Sequence, residues 1–449
     1  MRIAIAGASG FVGRALTARL AAAGHEVVAL SRSTVAVPPG ATAVAVDVSD
    51  EAAATAALAG VDMAYYLVHS LATGPSFREL DRRLAETFGR AAATAGARRL
   101  VYVGGLGEAP SSAHLASRHE VGAALRGSGL PVVELRAAVV FGAGGISFEM
   151  LRYLTERLPF MVCPRWVRTR IQPIALADLL AYLEQSVDVE PGIYEVGGAD
   201  VTTYEEMILE YARVRGLHRR RIVDIPWLTP RLSSYWVDLV TPVDQAVSHA
   251  LIESLVTEVV VTDPDPSRRA FTVTPMSVRD ALRSALDDQD LAVTATLFDR
   301  HDGLADGVYT VTEALAIPGD RADAVGRDLA RIGGSFGWYG AAAGWVLRVA
   351  LGRLVGEHLR RRRAAVVAAG ASVDWWRVAR VEPGVLVLRS DGWFPGDAWL
   401  GYRAGPDRLL QVAAFRPAGV PGFLYWKLLV PVHRVAFGRM ARRRVSPRG

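Results

Sequence analysis

The sequence holds one cysteine, Cys163, and one lysine, Lys427, in 449 residues. A single cysteine excludes a disulfide framework and any multi-cysteine metal site, and it fits a reducing compartment such as the cytoplasm. With every other basic residue an arginine, chemistry that needs an ε-ammonium must use Lys427 or do without. The nine histidines form no HxxxH pair and no acidic cluster accompanies them, so no metal is expected. Runs long enough to cross a bilayer are also missing. The nearest, Phe336 to Gly356, is interrupted by Arg348 and Arg353. The N-terminus, Met1 to Gly7, reads as a strand entering a glycine turn and is too short for the apolar region of a signal peptide. The one G-x-S-x-G match, Gly333 to Gly337, follows a helical pattern, whereas a nucleophile elbow needs a strand before it.

What is present suffices for several cores: 51% of residues are apolar and 22% charged. Up to residue 140, short apolar runs alternate with helical patterns. Strands are expected at Arg2–Ala6, Glu26–Leu30, Ala43–Asp47, Met63–Val68, Arg99–Val103 and Val132–Leu135, and helices at Phe11–Ala23 and Phe77–Ala95. Buried strands separated by helices predict an α/β fold with a doubly wound parallel sheet of the Rossmann type. Residues 146–290 are mixed, with a helix expected from Thr203, and read as substrate-side insertions into a first domain of residues 1–288. An α+β domain of residues 289–449 is expected beyond them. Its strands are Val293–Phe298, Val308–Ala314, Ser372–Val381, Val385–Arg389, Ala398–Arg403 and Leu409–Arg416, and its helices Trp345–Arg362 and Phe423–Arg442, the last kinked at Pro431. From Gly340 onward the chain carries 19 basic against 6 acidic residues, whereas the rest has an acidic excess. Two regions of opposite sign predict surfaces with different partners.

Gly7-Ala8-Ser9-Gly10-Phe11-Val12-Gly13 follows the first strand and opens the first helix, the context a dinucleotide site requires. Gly7 permits the tight turn, Gly10 lets backbone approach a pyrophosphate, and Gly13 allows close helix–strand packing. The phosphates would rest on the free N–H groups of a helix N-terminus. An acid that binds the ribose diol is expected at the end of the second strand; Ser31, Arg32 and Ser33 stand there instead. An arginine with two hydroxyls suits a 2′-phosphate, which favours NADP(H) over NAD(H). Asp47, beside Val48, is read either as an acceptor for the adenine amino group or as a helix N-cap.

The GxxGxxG spacing resembles the short-chain dehydrogenase/reductase superfamily, in its atypical extended branch with NmrA-like proteins and the NAD(P)H-binding accessory subunit of respiratory complex I. The resemblance runs through Tyr65 to Ser70, Val101 to Gly107, Gln172 to Ala175 and Tyr194 to Gly198, and covers about residues 1–285. It implies dinucleotide contacts from Leu67, Val68 and Gly104 as well. The remainder is similar to a bacterial C-terminal domain of the START-like helix-grip type, which implies an enclosed apolar ligand.

Departures from that family concern its chemistry. Its usual members use a serine, then a tyrosine and a lysine four residues apart. Here the fifth strand runs into Gly104-Gly105, and His114 and Arg118 stand at the tyrosine–lysine spacing. No lysine precedes Lys427, so the usual triad is impossible. In one reading His114 donates the proton, because imidazole titrates near neutral pH, and Arg118 places a fixed charge near the ribose. In the other, His114 caps a helix and Arg118 faces a carboxylate. His69, at the C-terminal end of the fourth strand, is a second proton donor candidate. Trp166, Trp227, Tyr235 and Trp236 lie where a large apolar substrate would be enclosed, or pack a core.

These readings predict an NADPH-dependent reductase of a carbonyl or activated C=C on a sizeable apolar molecule. The alternative is a non-catalytic dinucleotide sensor, scaffold or lipid-binding protein of the NmrA-like type. The arginine run Arg360–Arg363 lacks a nucleic-acid motif, so no nucleic-acid partner is expected. The basic C-terminal region, with six of the ten tryptophans and the helix after Phe423, suggests peripheral contact with an anionic membrane surface.

Overall fold

A computed structural model describes residues 1–70, 77–107, 112–225, 256–299, 307–318, 321–329, 332, 367–391 and 395–445. The chain divides into two compact units, residues 1–155 with 159–288, and residues 289–449 with 156–158.

The first unit contains a parallel sheet of seven strands. Six of them are β1 (Arg2–Ala6), β2 (Glu26–Ser31), β3 (Ala41–Ala45), β4 (Met63–Tyr66), β5 (Arg99–Gly105) and β6 (Val132–Ala137). Their spatial order is β3-β2-β1-β4-β5-β6, with the strand Gly192–Val196 outermost beside β6. Consecutive side chains serve opposite faces. Ile3, Ile5 and Tyr65 join one core with Leu16 and Leu20 of helix α1 (Phe11–Ala22). Ala4, Ala6 and Tyr66 join another with Leu84 and Phe88 of α3 (Phe77–Thr94). Both faces are covered, which is why these strands read as unbroken apolar runs. Between β3 and β4 lies α2 (Glu51–Ala57), and between β5 and β6 lies α4 (Ala113–Arg126). The expected strand Ala43–Asp47 is displaced by two residues, because its partner β2 ends at Ser31, paired with Ala45.

Among the polar groups buried in this unit, one is enclosed by charges and glycines. The Glu134 carboxylate on β6 is fully buried and paired with Arg126 and, at 2.8 Å, with Arg136. Its oxygens fill the space where a Cβ on Gly122 or Gly104 would fall, 2.5 and 3.0 Å away.

The second unit carries a six-stranded antiparallel sheet in the order Tyr309–Ala316, Arg408–Pro417, Gly396–Ala404, Val385–Ser390, Trp376–Glu382, Ser372–Val373. The expected strand Ser372–Val381 is broken in two where Asp374 adopts φ 58°. Val293–Phe298, expected as a strand, is the end of a helix, Val278–Thr296, and a following 3-10 turn. Val293 and Leu297 lie four residues apart and bury against Val387, Trp399 and Val412 on one face of the sheet. That burial overrides the alternating look of the segment. Gly419–Val445 forms the terminal helix, with Pro431 inside it. The helix expected at Trp345–Arg362 lies outside the described residues. Among the described residues no helix is long and apolar enough to cross a membrane.

Candidate active site

The chain order of the parallel sheet reverses between β1 and β4. Open sheets of this kind bind ligands at that point, beyond the carboxyl ends of the strands. The glycine loop leaves β1 there. Gly7 has φ 86°, and a Cβ on it would lie 2.7 Å from the Leu67 carbonyl oxygen. A Cβ on Gly13 would lie 2.2 Å from the Gly7 carbonyl oxygen, so α1 can pack this closely only with glycine. Gly10 is exposed at the N-cap of α1 and caps it with no side chain. The N–H groups of Phe11, Val12 and Gly13 are therefore available to an anion, with Ser9 exposed beside them. This cradle fits a pyrophosphate.

The adenosine side is equally defined. Ser31 ends β2, and its hydroxyl donates to the Ser33 carbonyl at 2.6 Å. Arg32 and Ser33 are exposed. Asp47 is exposed and accepts from the Ser49 N–H at 2.9 Å. Hydrogen bonds from the Ser49 backbone and side chain, more than the charge of Arg32, hold its carboxyl below the usual range. The N-cap reading of Asp47 is corrected: Asp50 caps α2, accepting from the Ala53 N–H at 3.0 Å. Val48 is buried in the core, so only its backbone can face a base. Leu67 and Val68 follow β4, the Leu67 N–H donating to the Ala6 carbonyl. Gly104 is buried in β5 beneath Glu134.

Two of the three candidate catalytic residues come together. His69 follows β4 and His114 stands in the first turn of α4, their ring centroids 5.1 Å apart. His114 does not cap its helix; Ser112 does, accepting from the Leu115 N–H at 3.1 Å. Asp81, on α3, is almost wholly buried and gathers three donors: His69 Nδ1 at 3.2 Å, the Ser70 N–H at 2.9 Å and the Ser117 hydroxyl at 3.1 Å. Burial pushes the Asp81 carboxyl up, but His69, Ser70 and Ser117 together hold it below its ordinary value. Burial, the largest influence, together with the charge of Arg118 lowers the His69 pKa against the opposing pull of Asp81.

His114 departs furthest from expectation. Burial first, and the neighbouring His69 and Arg118 next, pull its pKa down to about 3. At neutral pH it is a neutral imidazole, able to donate an N–H hydrogen bond but not to deliver a proton as a cation. Its Nδ1 is buried and, among the described residues, has no hydrogen-bond partner.

The reading of Arg118 as the partner of a carboxylate is corrected. Its guanidinium lies 5.0 Å over the Tyr102 ring and donates to the Val103 carbonyl, and the Tyr102 hydroxyl donates back to the Arg118 carbonyl at 2.9 Å. Among the described residues no carboxylate pairs with it.

His69 and His114 open onto a cavity of about 390 Å³. Phe11 reaches it from the glycine loop, and its ring closes on Gly142 and Gly145. The walls are apolar: Met150, Leu151 and Leu154 of Ile146–Arg157, Met161 and Cys163, and Met207 and Ile208 of Tyr204–Val214. Trp166 also lines it, packed edge-on to Tyr204 at 6.0 Å, its Nε1 without a partner among the described residues. Trp227, Tyr235 and Trp236 lie outside the described residues. The Gln172 and Gly197-Gly198 segments knit together below: Gln172 donates to the Gly198 carbonyl at 2.7 Å and accepts from the Val261 N–H.

Sequence reasoning missed Asp81 and Ser117. The signal for Asp81 was available: it occupies the inward stripe Phe77, Asp81, Leu84, Phe88 of α3, where an acid needs buried partners.

Residues 7–139 match the family described as NAD(P)H-binding. This part of the chain is an NAD(P)H-binding domain. Residues 304–440 match a family described as a protein of unknown function, DUF2867. Among solved structures, a nucleoside-diphosphate-sugar epimerase from Staphylococcus aureus aligns with TM-score 0.52 and 16% identity over 63% of this chain and 100% of that one. The Bordetella bronchiseptica enzyme WbmH, solved with NAD+, aligns with TM-score 0.50 and 15% identity over 64% and 97%. UDP-glucose 4-epimerase from Thermotoga maritima, solved with UDP-glucose, gives 0.51 and 12% over 65% and 100%. At such identities the likeness is one of fold. Uncharacterized proteins of Mycobacterium bovis and Mycobacterium tuberculosis are 47% identical over 64 residues, which is 14% of this chain and 8% of theirs. The match spans less than a tenth of those relatives. Among the described residues no group of acidic, histidine and cysteine side chains could hold a metal.

Proposed function

We propose that the protein is an NADPH-dependent reductase of a large apolar molecule carrying a carbonyl or an activated double bond. One observation carries this reading: the Asp81–His69 pair and His114 open onto an apolar cavity that the glycine loop reaches through Phe11. When bound, the nicotinamide supplies the hydride. The glycine loop holds the pyrophosphate, and Arg32 with Ser31 and Ser33 selects the 2′-phosphate. His69, oriented and electrostatically supported by Asp81, takes a proton from solvent and passes it to the substrate. Neutral His114 donates an N–H to the substrate oxygen and so stabilises charge developing there. The apolar walls select the substrate's body and exclude water. The antiparallel sheet and 27-residue terminal helix of the second unit support a START-like helix-grip reading, with an apolar ligand as its cargo.

The test is NADPH oxidation followed at 340 nm against a panel of bulky apolar ketones and enones. Turnover with at least one, reduced about 10²–10⁴-fold in His69→Phe while NADPH still binds, is the expected result. One observation favours a second reading, a dinucleotide sensor: no lysine precedes Lys427, so none stands beside a tyrosine in the family's usual way. NADPH binding without turnover of any panel member would establish that reading instead.

A further inference from the structure

The terminal helix Gly419–Val445 is apolar on two sides. Its inner side fastens it to the sheet. Trp426 stacks on Phe415 with ring centroids 5.4 Å apart, Met440 and Ala441 are buried, and Gln411 donates to the Phe437 carbonyl at 3.0 Å. Of the six tryptophans expected near a membrane, Trp376, Trp399 and Trp426 are buried in the core and Trp375 is half-buried, while Trp345 and Trp393 lie outside the described residues. The outer side holds Val420, Leu424, Leu428, Val432 and Val435, which recur every three or four residues. They form a single stripe, exposed by 44%, 51%, 74%, 60% and 55% in that order. A helix on a protein surface ordinarily turns polar residues outward, so a continuous aliphatic stripe of about four turns marks a contact surface.

Charge identifies the occupant. The helix contains six basic residues and no acidic one. Lys427 and Arg434 are exposed along one border of the stripe, and exposed Arg439, Arg442 and Arg443 continue it over the last turns. Two copies of the helix laid together would oppose cations with cations. The stripe is purely aliphatic on a convex rod, without the exposed tryptophan or tyrosine anchors that carry protein–protein contacts. We propose that this face docks onto an anionic lipid bilayer surface, with Leu424, Leu428 and Val432 entering the headgroup boundary and the arginines meeting lipid phosphates. The proposal is independent of the reductase reading and uses no residue of that site.

Flotation of the full chain with vesicles tests it, comparing phosphatidylcholine containing phosphatidylglycerol with phosphatidylcholine alone at low salt. Binding to the anionic vesicles is expected, at least about 10-fold tighter than to neutral ones and weakened at high salt. Leu428→Ser with Val432→Ser, both at exposed positions, weakens it about 10-fold or more with melting temperature and NADPH affinity unchanged. Arg439→Gln, Arg442→Gln and Arg443→Gln together weaken it by about 100-fold. Equal binding to the two lipids, or full binding by the double serine variant, overturns the proposal. So does a dimer, seen by light scattering without lipid and broken by the serine variant, if vesicles are not bound.

Discussion

Asp81 Oδ2 lies 3.2 Å from His69 Nδ1 and 3.1 Å from the Ser117 hydroxyl, so one buried carboxylate fixes a ring after β4 and the first turns of α4 together. Neither residue is a neighbour of Asp81 in sequence, and the contact exists only because α3 packs between them. Replacing Asp81 by Asn removes the charge that supports protonated His69 and upsets three hydrogen bonds. We expect turnover to fall about 10- to 1,000-fold and stability by about 1–3 kcal/mol. Kinetics and thermal melting of the same variant check both.

The pH dependence separates the two histidines. His69 titrates below the usual histidine value because it is buried, so its acid form, and turnover with it, declines as pH rises through that lowered pKa. His114→Gln lowers the plateau rate but leaves that limb in place. A limb that disappears in His114→Gln and survives in His69→Gln would reverse the assignment.

His114 also makes acid stability predictable. Its pKa is about 3 in the fold and near 6.5 unfolded. Between those values the unfolded chain binds a proton that the folded chain does not, so stability drops as pH falls from about 6.5 towards 3. The limit is about 1.4 kcal/mol per pH unit for such a group. Melting temperatures of His114→Phe should be flatter across this window than those of the parent.

At the cofactor loop, Gly13→Ala would place a methyl against the Gly7 carbonyl. A loss of about 1–3 kcal/mol and of nucleotide binding is expected, read by thermal melting with and without NADPH. In contrast, Arg32→Ala touches no core. It should weaken NADPH about 10- to 100-fold and leave NADH nearly unchanged in fluorescence titrations.

Most of the parallel sheet was legible, because strands buried on both faces leave unbroken apolar runs and the loop needs glycine at Gly7 and Gly13. The segment Val293–Phe298 was not, since Val-Thr-Ala-Thr-Leu-Phe alternates like a strand and only the sheet it covers makes it helical. His69 and His114 could each be suspected from position. Their 5.1 Å approach and the neutrality of His114 could not, as both depend on burial that no local pattern encodes. The burial of Trp376, Trp399 and Trp426 was hidden for the same reason: composition counts aromatic rings but does not say which face of a strand or helix they occupy.

The Glu134 pocket makes positions distant in sequence depend on one another. Gly104, Gly122, Arg126 and Arg136 each suit a carboxylate at 134, two by leaving it room and two by matching its charge. A lineage that loses Glu134 strands two arginines and frees two glycines, so single steps away from the set are penalised while a joint replacement is not. Related chains should therefore keep all five residues or exchange them together, and β5, α4 and β6 should drift as a block.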